Sequence, residues 1–201
     1  MCKVHRQHEI DAFVLRIVMS LLLAVSFAGC APLSPRFSES VLLAPGVQLD
    51  LPPLAAFGRQ AEMMQWVVAR HGEDVFIFEG RLSIGPDRLL LVAIDPFGRR
   101  AITIDWNGAQ MNVERAPWLP ETLPPENMLA DIVLLFWPED AIRHALHGAE
   151  LAVGNASRSI RRGSEEIIAI TYDNHPDTIV ATLTNRSRHY EIEVRSKTLT
   201  P

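Results

Sequence analysis

The sequence predicts an α+β protein in which an antiparallel sheet of roughly nine to eleven strands carries two helices on one side. Three observations lead there. Apolar and polar residues alternate in short runs from Glu62 onward, a proline-dense stretch and a helically spaced segment break the alternation once between Ala116 and His147, and the alternation then resumes. The chain has 201 residues, 48% hydrophobic and 21% charged, a composition that fits one folded core and excludes a wholly disordered or fibrous chain. A net charge of -5 offers nucleic acid no overall attraction, and 2 cysteines cannot build a disulfide framework or a multi-cysteine zinc site.

The N-terminus changes those totals. Met1 to Arg16 carry Lys3, Arg6 and Arg16 and lead into the apolar run Ile17 to Ala28. A helix of that length rises only about 18 Å against roughly 30 Å of hydrocarbon, so the run reads as the core of a secretory signal rather than a span. It ends in Phe27-Ala28-Gly29-Cys30, which resembles the lipobox of bacterial lipoprotein signal peptides. The resemblance implies a signal peptide over 1–29, removal of that peptide, and acylation of Cys30 as the first mature residue. Ala31, where an inner-membrane lipoprotein of that class carries Asp, implies the outer membrane, facing the periplasm. Removing three basic and two acidic residues leaves 16 against 22, a net charge of -6 over 172 residues. Several acyl chains anchor a protein stably where one gives only marginal binding. Pro32, Pro35, Pro45, Pro52 and Pro53 then predict a tether over 30–60, with the folded domain at 61–201.

Within that domain Met64, Trp66 and Val68 share one strand face, and Phe76, Phe78, Leu82 and Ile84 share a face of the next strand across the turn His71-Gly-Glu-Asp74. Arg88 to Ile94 is apolar on both faces, as in a central or helix-covered strand. Asp95-Pro96-Phe97-Gly98 turns the chain into Ile102, Ile104 and Trp106, and Asn107-Gly108 is a hairpin signal. Pro117, Pro120, Pro124 and Pro125 make Ala116 to Glu126 irregular. Met128, Ile132, Leu135 and Phe136 then space a helix over Glu126 to Trp137, and a second helix follows from Pro138 to about His147. Ile168, Ile170 and Tyr172, then Ile179, Ala181 and Leu183, then Tyr190, Ile192 and Val194 mark three closing strands.

Few residues suggest chemistry. Asp140, His144 and His147 fall at i, i+4 and i+7, a spacing that brings them to one helix face, but the solvated side of an amphipathic helix explains them and no metal site is expected. No nucleophile elbow, phosphate loop or zinc-protease motif occurs, so no catalytic residue, cofactor or enzyme activity is expected. Phe97 stands out, because a large apolar residue at the tip of a tight turn either folds back or meets something apolar.

The strand and turn Leu89 to Gly98, the helix segments Asn127 to Asp131 and Phe136 to Glu139, and the strands Ile167 to Tyr172 and Tyr190 to Arg195 together resemble the LolA/LolB-like family. The likeness covers about Glu62 to Ser196. It implies an antiparallel half barrel with two helices on its concave apolar side, and a protruding turn, here Pro96, Phe97 and Gly98, that touches the membrane. The Trp137-Pro138 junction, the Arg99-Arg100 pair and the proline-rich segment look closer to a sister family of uncharacterised bacterial lipoproteins often encoded beside aryl-polyene or fatty-acid-type biosynthetic genes.

The expected function is therefore an outer-membrane lipoprotein that binds acyl chains of a lipoprotein or lipid-like product and assists their insertion into the membrane. The resemblance also implies a periplasmic carrier protein as a partner. Trp66, Phe76, Phe78, Ile102, Ile104 and Trp106 are the expected cavity walls, with Met128, Ile132 and Phe136 from the helix. The competing expectation is a non-enzymatic envelope scaffold with a filled core.

Overall fold

A computed structural model describes residues 40–176 and 178–199. The N-terminal strands are β1 (Ser40–Ala44) and β2 (Val47–Asp50), followed by a short 3-10 helix at Leu54–Phe57. A first meander comprises β3 (Ala61–His71), β4 (Asp74–Ile84), β5 (Leu89–Ile94), β6 (Arg100–Trp106) and β7 (Met111–Arg115). Helices α1 (Pro125–Phe136) and α2 (Glu139–Ala145) come next, then β8 (Leu146–His147). A second meander holds β9 (Glu150–Gly154), β10 (Ser157–Arg162), β11 (Glu165–His175), β12 (Thr178–Asn185) and β13 (Tyr190–Thr198).

The two meanders form one antiparallel sheet of ten strands, in the order β7-β6-β5-β4-β3-β13-β12-β11-β10-β9, because the last strand returns to pair with the first of the other meander. That seam is long, running from Tyr190 opposite His71 to Thr198 opposite Met63. The sheet is open, with β7 and β9 as its edges. A second sheet of three strands, β1-β2-β8, lies beside it, so the described residues form mostly antiparallel sheet with two α-helices. No helix among the described residues is long and apolar enough to cross a membrane.

Helix α1 forms where the spacing predicts it. Pro124 is extended at the N-cap and Pro125 takes the first helical position, where the missing N–H costs nothing. Trp137, extended before Pro138, ends the helix. The helix packs on β1 and β12, and its end is fixed to the large sheet by side chains from β10 and β11. Arg158 Nη1 donates to the carbonyls of Leu134 at 3.1 Å and Trp137 at 2.9 Å, and the Tyr172 hydroxyl donates to that of Leu135 at 3.0 Å. These bonds satisfy carbonyls that the helix terminus leaves open, with positive charge at the favourable end of the dipole.

Three expectations need correction. Residues 40–57 are not a tether. Val41, Leu43, Val47, Leu49, Leu51, Leu54 and Phe57 are all buried in the core, and Phe57 packs on Trp137 at 4.9 Å between ring centroids. Pro45 lies in the turn between β1 and β2, and Pro52 and Pro53 lie between β2 and the 3-10 helix, so the prolines punctuate an alternating pattern without preventing it. The second helix stops at Ala145. His147 leaves it for β8, opposite Gln48, and its Nε2 meets Asp50 Oδ2 at 2.8 Å, which separates it from Asp140 and His144. Gly148, with φ 76, follows so close to Gly46 that a Cβ there would collide with the Gly46 carbonyl oxygen.

The third correction concerns β3. Met63, Gln65, Val67 and Ala69 turn toward the helix side, whereas Met64 and Trp66 face outward, with Trp66 39% exposed. The strand is apolar at consecutive positions, so its pattern does not say which face is inward, and a one-residue difference in phase exchanges the faces.

Candidate functional site

Between α1 and strands β3 to β6 and β13 lies an apolar cavity of about 420 Å³. Met128, Ile132 and Phe136 supply the helix side, spaced one turn apart on a single stripe. Val67 and Ala69, Phe76 and Phe78, Leu91 and Ala93, Ile102, and Ile192 and Val194 supply the sheet side, each pair two residues apart on one strand. The space has a visible cause in the register. Ile102 pairs with Ala93, Ala93 with Gly80, and Gly80 with Gln65, so a row across four strands carries two very small side chains. A Cβ built at Gly80 would find its nearest neighbours at 3.7 Å, at ordinary contact distance.

The exposed, polar part of the lining comes from three segments. These are the end of β3 with Arg70 and His71, the turn Ser187 to His189 before β13, and Glu121 to Pro124 leading into α1. His189 has φ 56, the left-handed region that favours glycine. Arg70 is paired with Glu191 at 3.3 Å.

Polar groups inside are few and mostly matched. Gln65 Nε2 donates to Ser196 Oγ at 3.1 Å, a bond between neighbours across the seam. Asp131, on α1 and 5% exposed, accepts the Tyr190 hydroxyl at 2.8 Å. Burial raises the Asp131 carboxyl to about 7, against the opposing pull of the Tyr190 hydrogen bond and the Arg188 charge. Burial likewise pushes the Tyr190 hydroxyl well above its ordinary range, so it stays a donor.

The turn predicted to protrude does so. Phe97 is 85% exposed, and the fold-back alternative does not occur. Asp95 holds the turn from beneath, accepting the backbone N–H of Phe97 at 3.0 Å and of Arg99 at 2.8 Å, and the Arg99 Nε at 2.7 Å. Burial works to raise the Asp95 carboxyl, but these bonds to Arg99 and Phe97 outweigh it and hold the group below the usual carboxylate range. Gly98, with φ 79, supplies the left-handed position that closes the turn. Arg99 lies 5.7 Å from the Phe97 ring centroid and 4.8 Å from that of Trp118, which is itself 41% exposed. Trp118 is set there by the irregular segment, which Arg115 ties down through the carbonyls of Leu119 and Pro120.

Of the nine residues predicted as walls, Phe76, Phe78, Ile102, Met128, Ile132 and Phe136 line the cavity. Ile104 and Trp106 are packed in the core away from it, and Trp66 is on the outer face. Asp131, Tyr190, Arg188 and Trp118 were not anticipated. Asp131 had a signal, since it is the single charge within Met128 to Phe136; Tyr190 and Arg188 reach it only through the fold. Cys30 and the segment 1–29 lie outside the described residues.

These features define a class, an α+β protein in which an open antiparallel sheet and a covering helix flank an apolar cavity whose lining includes one buried acidic group, Asp131. Residues 62–198 match the family described as "Protein of unknown function (DUF3261)", and the chain belongs to that family. No curated protein matches it. The matched segment starts after β1 and β2, although those strands contribute to the same core.

Proposed function

We propose that this protein is a lipoprotein, acylated at Cys30 and held on the periplasmic face of the outer membrane, whose cavity receives the acyl chain of a lipoprotein or lipid-like product and assists its passage into the bilayer. The LolA/LolB-like half barrel is the fold this reading invokes, with α1 as the cover and Pro96, Phe97 and Gly98 as the membrane-touching tip. The observation that carries it is the apolar cavity under α1. Its volume of about 420 Å³ falls within the range of roughly 300–1,000 Å³ typical of small-molecule sites, and its walls are aliphatic and aromatic. Affinity for a hydrocarbon chain comes from removing methylene surface from water, at about 0.8 kcal/mol for each buried group. An unfilled space of that size favours a carrier over a scaffold with a filled core.

Organic extraction of the purified full chain, followed by mass spectrometry, tests the reading. The expected result is a reproducible acyl-bearing species that is lost when Ile132→Trp fills the cavity. A folded chain that yields none, and that gains no bound lipid when offered it, overturns the proposal.

A further inference from the structure

Most of the side chains deep in the lining are apolar, and one buried polar set stands where α1 meets the start of β13. There Asp131 uses Oδ1 to accept the Tyr190 hydroxyl at 2.8 Å, while Oδ2 has no hydrogen-bond partner among the described residues and is not sealed by the protein. Arg188, which donates to the Leu42 carbonyl, lines the same cavity close enough for its charge to act on Asp131. A buried carboxyl with an open oxygen is costly unless something completes its bonding.

Building on the acyl-binding reading, we propose that the ligand is an aliphatic carboxylic acid whose head docks on Asp131, Tyr190 and Arg188 while its chain lies against Ile132, Phe136 and Phe78. The charges select that head. Two carboxyl groups sharing one proton carry one negative charge, and Arg188 balances it. An amine head would meet the Arg188 charge, and an ester would accept one bond from Asp131 but leave Arg188 without an anion. Because burial raises Asp131 to about 7, the shared proton is available at neutral pH. The titratable groups around it are Tyr190 from β13, Arg188 and His189 from the preceding turn, Arg70 and His71 from β3, and Glu121 before α1; α1 itself adds no other charge to the cavity wall. Two acids competing for one proton titrate as a pair, so the ligand and Asp131 share their pH dependence.

The test compares palmitic acid with its methyl ester, each labelled with carbon-13 at the carbonyl and titrated into the full chain and into Asp131→Asn and Tyr190→Phe variants. The acid is expected to bind at least about tenfold more tightly than the ester, as a charge-assisted hydrogen bond provides. That preference shrinks in Asp131→Asn, and it falls as pH rises through about 7. The carboxyl resonance of bound acid titrates at higher pH in the unaltered chain than in Asp131→Asn. Equal affinity for acid and ester overturns the head assignment and leaves acyl binding standing. Failure of a folded chain to bind either overturns both. Should Asp131→Asn not fold, the acid and ester comparison in the unaltered chain decides the matter alone.

Discussion

Helix α1 is apolar on two sides, and the two sides meet different surroundings. Leu129, Val133 and Leu134 have no exposed surface and are packed in the core. Met128, Ile132 and Phe136, on the adjoining stripe of the helix, face the cavity. The residue types are alike on both sides, so composition does not distinguish a packed face from a cavity face; what lies opposite does. Facing the cavity, the sheet presents Gly80 and Ala93 in register, and volume is missing. The comparison teaches that this cavity is built by small residues on the sheet rather than by anything unusual in the helix.

The largest expected effect breaks that comparison directly. Leu129→Ala removes a side chain from tight packing and adds a new void, so it should cost about 4 kcal/mol by denaturant unfolding. Ile132→Ala loses a similar apolar area, but space already lies beside it, so only the transfer contribution remains, roughly 2 kcal/mol. Equal costs at the two positions would mean that the cavity is closed or filled in solution.

A second prediction concerns the one charge on this helix that faces the cavity. The Asp131 carboxyl is raised from 3.8 to about 7, so across that window the folded chain keeps a proton that the unfolded chain has released. Protonation therefore favours folding at acid pH, and the advantage is lost as pH rises through about 7. Asp131→Asn keeps the shape and cannot ionise. The stability of the variant relative to the unaltered chain should shift in its favour by about 2–3 kcal/mol between about pH 5 and about pH 8. Parallel pH profiles for the two chains would show that Asp131 is ionised when folded.

The same contrast explains what the sequence revealed. Helix α1 was legible because its spacing and its prolines agree, and the protruding turn because Asp95, Gly98 and an apolar tip are contiguous. The inward face of β3 was not, since Met63 to Val68 is apolar at nearly every position and only pairing with β4 and β13 sets the phase. The strands β1 and β2 were hidden by their prolines. Of the cavity, three walls could be read from strand alternation and three from helical spacing, but the polar wall could not, because Asp131 and Tyr190 are 59 positions apart and meet through tertiary packing alone.

The smallest effect on stability belongs to Phe97, and it separates the tip from the cavity. With 85% of its surface exposed, Phe97 contributes little packing, so Phe97→Glu should change unfolding by less than about 0.5 kcal/mol. The turn survives because its bonds come from Asp95 and the backbone, not from the phenyl ring. Binding of an acyl ligand should also be unchanged, since Phe97 is not among the cavity walls. Delivery of that ligand to phospholipid vesicles is where the substitution should act, slowing transfer severalfold by placing a charge where an apolar ring would enter the bilayer. Transfer at the original rate would remove the membrane role from this turn, whereas loss of binding together with transfer would show that tip and cavity are coupled.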